Sequence, residues 1–480
     1  MPFTERVRRL VPSFAVGAAV LVAQVAWSWS ALHRDITTDE SFTFFSTNGG
    51  VSGLVSAGRM DPAMWLYYVV GHVWARVFPD SIVALRWLTV LSYAAIVVIV
   101  CELSRRRGRW WAAPLGLVAF GATPIAREAV VDARAAIPAS LVAVVLMILA
   151  DRLVRSVDAP DRIRWVRAVA VVICALVFIH PSGIGAAGVA WLVLAWVAYR
   201  GNLEERFWTV AALGAAAIAF LANLMQAGNI DGLVEPGFAG FRFTLGLLWG
   251  GNALIAAIVI VGTAVVLAID ARRDALPGLA GLASVGWTLA LALAVPVVTM
   301  FIARYVVIAC VLLVLAGVTV ASAQWRSWAL LGFAAVSIVG GIISEDRRPG
   351  EPSRWCTVAD RLDRHAGEGD LVVFPSGASI TALTACLGSA ASDALVARVD
   401  TLPSIEGLER TNPRSMWMLH QDLEAASETI DPATTTRMVV VRTEEPVPGI
   451  REFLDAYVER GGTCVDHLDG VHGVTVCTAG

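Results

Sequence analysis

An α-helical membrane protein of many spans, closed by a C-terminal α/β domain, is the fold class that the sequence predicts. Three observations carry this. The chain of 480 residues is 57% hydrophobic and only 16% charged, whereas soluble domains carry about a quarter charged residues. Its mean hydropathy is +0.68, and its apolar residues fall in windows that approach the length needed to cross about 30 Å of hydrocarbon. After Ser344 that pattern stops, and Asp, Glu, Pro and Thr separate short apolar runs. Hydrocarbon offers backbone groups no water, so the long windows are expected to be helices.

About eleven such windows follow one another, near 11–32, 84–102, 111–124, 135–153, 166–180, 184–199, 207–226, 245–269, 277–301, 305–322 and 326–344. The first is preceded by Arg6, Arg8 and Arg9. It is too long for a signal-peptide core and lacks a small-residue cleavage site, so it reads as a retained span. All 37 basic residues are arginine, which excludes lysine chemistry, and the net charge of -3 says little about partners. The placement of the arginines says more. Counting forward from a cytoplasmic N-terminus, the basic loops at Arg105 to Arg109, Arg152 to Arg167, Arg200 to Arg206, Arg272-Arg273 and Arg326 fall on one side. That side is the cytoplasm by the positive-inside rule. The opposite loops, 33–83 and 125–134 among them, hold Asp35, Asp39, Glu40, Asp61, Glu128, Asp132, Asp231 and Glu235. The segment 64–78 is apolar, yet counting it as a span would invert every later loop. It is therefore expected to lie as an amphipathic helix at the outer interface, a depth that suits Trp65, Tyr67, Tyr68 and Trp74.

The division predicted is a membrane module over 1–344 and an extracytoplasmic α/β domain over 345–480. In the latter, 370–374 and 438–442 read as buried strands and 353–365, 378–388 and 449–459 as helices. A terminal pair of strands is expected at 462–467 and 472–478. Cys356, Cys386, Cys464 and Cys477 make an even count that permits disulfides in an oxidising compartment, and Cys464 and Cys477 flank the expected hairpin. Cys101, Cys174 and Cys310 lie in spans and read as small apolar residues.

Chemistry can sit at few places. Asp39-Glu40 follows the first span directly and is either a hydrated loop or the start of a catalytic site, where a carboxylate takes a proton from an incoming hydroxyl. Around Asp132-Ala133-Arg134 the chain is charged yet enters a span. Arg134 there either pairs with Asp132 or Glu128 or clamps a lipid phosphate, for which guanidinium geometry is suited. Arg304-Tyr305 lies between two apolar runs, so Arg304 either anchors at the interface or points into the bundle. His180-Pro181 is a proton relay or a hydrogen-bonded histidine at a helix end. His72 and Trp74 read as packing residues. No spacing makes a metal site, no glycine pattern binds a nucleotide and no transporter-type repeat occurs. No cofactor and no nucleic-acid partner are expected.

In this order and sidedness the motifs resemble the membrane glycosyltransferases of the C superfold, in particular bacterial relatives of protein O-mannosyltransferases and of the lipid A aminoarabinose transferase. The acidic pair after the first span is Asp39-Glu40. The outer helix that follows reads Asp61-Pro62-Ala63-Met64-Trp65-Leu66-Tyr67-Tyr68, without the family's His-Pro-Pro. Ala84-Leu85-Arg86, Asp132-Ala133-Arg134 and Arg304-Tyr305 open later spans. The resemblance covers roughly 10–330. It implies an inverting, metal-independent enzyme that takes a sugar from a polyprenyl-phosphate donor at the outer face of the cytoplasmic membrane. The acceptor would be an envelope glycan, lipid or protein. Asp39 would be the general base with Glu40 positioning it, and Arg134 and Arg304 would hold the donor phosphate. Asp61, Tyr67, Tyr68, Asp132, His180 and Tyr305 would line the pocket. An arginine-only, Ala/Val-rich composition suits a GC-rich actinobacterium and its cell-wall glycans. The alternative is a non-catalytic scaffold or lipid-binding component of an envelope-assembly complex.

Overall fold

The computed structural model describes residues 15–26, 28–34, 36–48, 50–61, 64–78, 81–108, 110–121, 123–227, 275–294, 307–320, 355–367, 370–373, 386, 400–401, 437–442, 450–469 and 472–479, a few of them, Asp39 included, as backbone only. The windows expected at 245–269 and 326–344 lie outside these residues, as does nearly all of the helix expected at 378–388. Two units divide the chain: Met1–Leu32, Asp61–Tyr67 and Arg86–Pro349 form the first, and His33–Met60, Tyr68–Leu85 and Gly350–Gly480 the second.

The first unit is helical. Its described elements are α1 (Ala15–Ala26) and α2 (Trp29–Leu32), then, beyond α3 to α5, most of α6 (Ile82–Arg106), α7 (Ala112–Gly121), α8 (Pro124–Val131) and α9 (Ala136–Arg155). There follow α10 (Arg162–Ile179), α11 (Ile184–Tyr199), α12 (Leu203–Ala227), α13 (Ala275–Ala294) and α14 (Val307–Val320). Four described stretches are long and apolar enough to cross a membrane: Ile82–Arg106, Ala136–Arg155, Pro181–Tyr199 and Leu203–Ala222. Helix α9 is the hub, packed against α10, α11, α13 and α14. Its buried face is rich in small residues, Ala136, Ala139, Ser140, Ala143 and Ala150 among them. Small residues let helix backbones approach closely where lipid tails provide no hydrophobic drive. The same device recurs at Gly185 of α11, where an added Cβ would lie 2.5 Å from the Cβ of Trp287 on α13. Helix α12 shows the converse. Leu203, Phe207, Val210 and Ile218 are exposed, each more than 60%, an arrangement that suits hydrocarbon rather than water.

The basic ends are tied by charge. Arg162, at the start of α10, grips Glu205 of α12 through two bonds of 2.7 and 3.1 Å, and Glu205 is nearly fully buried. Glu205 also accepts the Asn202 N–H while the Asn202 side chain accepts the Glu205 N–H, closing the first turn of α12. Arg107, just after α6, donates to the Thr319 carbonyl near the end of α14 at 2.7 Å.

The second unit holds α3 (Thr38–Asn48), α4 (Gly50–Met60), most of α5 (Trp65–Val77) and the C-terminal elements. Gly50 has φ 70°, the left-handed turn that lets α4 fold back on α3. The C-terminal part contains α15 (Trp355–His365), β1 (Leu371–Val373), β2 (Asp400–Thr401), β3 (Arg437–Arg442), α16 (Ile450–Glu459), β4 (Gly462–Asp469) and β5 (His472–Ala479). The strands form one sheet in the order β2-β1-β3-β5-β4, parallel on the β1 side and antiparallel on the β5 side. Met438 to Val441 are all buried, so both faces of β3 are covered. One face packs Val373, Met438 and Val440 on Phe453, Leu454 and Tyr457 of α16. Helix α15 packs against β3 and β5. Cys464 and Cys477 are direct cross-strand partners joined by a disulfide, and Cys356 is bonded to Cys386.

Candidate active site

The acidic pair opens a helix. Thr37 is followed three residues later by Glu40, and the two close a reciprocal cap. The Thr37 N–H donates to Glu40 Oε2 at 3.0 Å, and the Glu40 N–H donates to Thr37 Oγ1 at 3.2 Å. This is the T-x-x-E arrangement that satisfies two otherwise orphaned N–H groups. Glu40 is fully buried, with its carboxylate engaged in this cap. Asp39 therefore occupies the second position of α3.

Polar residues continue along α3. Ser41, Thr43, Ser46 and Thr47 are buried although none is apolar. Thr47 turns its hydroxyl onto the Thr43 and Phe44 carbonyls, and its own carbonyl receives His72 Nδ1 at 2.7 Å. A carbonyl only accepts, so the His72 proton in this bond is on Nδ1. Phe42 meets the Tyr68 ring edge-on at 5.8 Å. Gly71 leaves α5 room to lie against the Thr47 side chain. Thus Glu40, Phe42, Tyr68 and His72 are gathered in the second unit. Tyr67 and Tyr68 are both buried, at 2% and 0% exposure. Their rings therefore pack inside the protein, whereas Trp65 is 46% exposed. Trp74 instead donates Nε1 to the Ala84 carbonyl at 2.7 Å, a packing role as expected.

In the first unit, Asp132, Ala133 and Arg134 form the turn between α8 and α9. Asp132 caps α8 by donating its N–H to the Glu128 carbonyl, and the Arg134 N–H donates to the Asp132 carbonyl at 2.7 Å. Both side chains are half-buried. Asp61 accepts the Met64 N–H on its carbonyl just before α5. His180 is buried at the end of α10. The Ser182 N–H donates to its Nδ1 at 3.2 Å, with the Ser182 hydroxyl 2.6 Å away. An N–H only donates, so the neutral ring carries its proton on Nε2. His180 is thus a hydrogen-bonded cap at a helix end, whatever else it does. Arg304 and Tyr305 lie outside the described residues.

One residue had no role assigned in advance. Among the described residues, Arg86 is the largest fully buried side chain, and its Nη1 donates to the Leu32 carbonyl at 2.8 Å. It therefore holds the point where the first apolar segment ends and the chain leaves toward Thr37. A lone arginine at the third position of the apolar window 84–102 was the signal, since a charge in such a segment needs a partner.

No protein-family model matches the sequence, and no curated protein matches it. Solved structures do. With ArnT from Cupriavidus metallidurans in the apo state, the chain shares a TM-score of 0.56 at 14% identity, over 96% of this chain and 98% of that one. With ArnT from the same organism bound to undecaprenyl phosphate, the TM-score is 0.53 at 14% identity, over 100% of both chains. The chain therefore shares the fold of ArnT along its length.

Proposed function

We propose that this protein is an inverting membrane glycosyltransferase that moves a sugar from a polyprenyl phosphate to an envelope glycan, lipid or protein. The observation that carries this reading is the end-to-end likeness in fold to ArnT, one of whose structures holds undecaprenyl phosphate. The capped start of α3, with Asp39 in its first turn, supports it locally.

In this reading Asp39 takes the proton of the acceptor hydroxyl. The acceptor oxygen attacks the anomeric carbon as the bond to the phosphate oxygen breaks, and the electron pair leaves with the polyprenyl phosphate. Arg134 and Arg304 neutralise that anion with fixed positive charge. Glu40 is a positioning residue. Asp61, Tyr67, Tyr68, Asp132, His180 and Tyr305 line the sugar pocket. Residues 1–344 form the membrane module, with a cytoplasmic N-terminus, and 345–480 form an extracytoplasmic domain. Two disulfides in the latter fit an oxidising compartment.

The test is genetic and chemical. Loss of the protein is expected to remove one sugar from the cell-wall or secreted glycans. Wild-type protein restores it, and Asp39→Asn protein, present in the membrane at wild-type level, does not. Restoration by Asp39→Asn removes Asp39 from the mechanism. Glycans unchanged by loss of the protein favour a scaffold.

A further inference from the structure

The C-terminal part of the chain carries a second cluster of chemistry, unrelated to the acidic pair. At the last turn of α15, the His365 ring stacks on His467 of β4, with centroids 4.1 Å apart and planes 23° apart. Arg361, one turn earlier, donates Nη1 to the His467 carbonyl at 2.6 Å. Arg364 donates Nε to the Asp360 carbonyl at 3.0 Å. Arg437 of β3 reaches in from the sheet and shares Asp370 Oδ2 with the Gly367 N–H, at 2.9 and 2.6 Å. Among the described residues, neither Arg361 nor Arg364 has a carboxylate partner. Each spends one donor on a main-chain carbonyl, and the remaining guanidinium N–H groups have no acceptor among these residues.

The other charged groups nearby, among the described residues, are four carboxylates and Arg442. Asp360 and Asp363 lie on α15 itself. Asp370 is taken by Arg437. Asp466, beside His467 on β4, receives the Thr475 hydroxyl at 2.5 Å and lies 4.0 Å from Arg442. Among the described residues, His467, Arg364, Arg437 and Arg361 thus all lie near enough to His365 to act on its charge, and the Asp370 carboxylate is engaged by Arg437. Burial, His467 and the three arginines hold the His365 ring below the usual imidazole range.

We propose that this cluster is a binding site for a phosphate-type anion, with Arg361, Arg364, His365 and His467 as its donors. An oxyanion accepts from planar guanidinium forks and from a protonated imidazole at once. Its charge relieves the mutual repulsion of the cluster, so His365 takes up a proton as the anion binds. Binding is therefore tighter in mild acid than in mild base. The anion is either a phospholipid headgroup or a phosphate borne by a soluble glycan. The site stands apart from the transferase reading and survives its failure.

The full-length protein in uncharged detergent tests it with inorganic phosphate as probe, against chloride at equal ionic strength. Phosphate is expected to raise the thermal unfolding midpoint, more near pH 6 than near pH 8. The paired variant Arg364→Gln with His365→Asn should keep both disulfides and lose the phosphate-dependent shift. A shift no larger than that of chloride, or one that persists in the paired variant, overturns the proposal. Lipid nanodiscs separate the sources. If a headgroup fills the site, anionic discs stabilise the wild type over the paired variant, and added phosphate does nothing more. If a soluble phosphate is the ligand, disc charge has no effect and added phosphate stabilises the wild type in both.

Discussion

Glu40 and Asp39 are neighbours with different duties, and substitutions separate them. Glutamine at position 40 keeps an oxygen that can accept the Thr37 N–H, so Glu40→Gln is expected to retain most activity. Glu40→Ala opens the cap, costs about 1 kcal/mol and lowers turnover by loosening the first turn that carries Asp39. Asp39→Asn is expected to abolish transfer with no loss of thermal stability. Paired measurements of turnover and unfolding midpoint check both; equal loss from Glu40→Gln and Asp39→Asn would make Glu40 a chemical participant. The acidic pair was legible in the sequence, whereas the reciprocal cap between Thr37 and Glu40 comes from the structure. Tyr67 and Tyr68 were less legible, because an aromatic with one polar atom suits both a membrane interface and a packed interior. Burial of both rings decides for the interior.

Among the helices, hydropathy located the described spans well, since a bilayer allows few other forms for such windows. It could not see which helix lies at the centre. The hub position of α9 rests on where small residues meet neighbours, which is a property of pairs of helices. The ion pairs show the same limit. In sequence Arg162 and Arg167 look alike, but Arg162 holds the buried Glu205 and Arg167 pairs with Glu204 at the surface. Arg162→Met leaves a buried charge uncompensated and is expected to cost about 3–5 kcal/mol. Arg167→Ala should cost no more than about 1 kcal/mol. Thermal unfolding of the two variants in one detergent checks the contrast. Gly185→Ala forces α11 away from Trp287 and is expected to destabilise by about 1–3 kcal/mol.

For the molecule as a whole, the composition change after Ser344 announced a different kind of structure, and its described strands and helices, the unexpected β2 apart, fall close to where alternation and apolar runs put them. The sheet order was not legible, because strands that are neighbours in space are far apart in sequence. The Cys356–Cys386 disulfide closes a 30-residue separation and Cys464–Cys477 one of 13. Longer loops are constrained more by closure, so Cys356→Ser is expected to lower the midpoint more than Cys464→Ser. His365 adds a pH dependence. Its ring is held below the ordinary imidazole range, so the folded state binds this proton less readily than the unfolded chain. The stabilisation is complete above the ordinary value and is lost as pH falls through the folded one. In phosphate-free buffer, acidification below about pH 6.5 should therefore lower the midpoint, and His365→Asn should flatten that response.

The central claim is that the protein consumes a polyprenyl-phosphate-linked sugar, and the cellular pool of that donor reports on it most directly. Mass spectrometry of membrane lipids should show one polyprenyl-phosphate sugar accumulating when the protein is lost, falling when wild-type protein is supplied, and remaining high when Asp39→Asn protein is supplied. A lipid-linked sugar pool that is the same in all three strains would contradict the account.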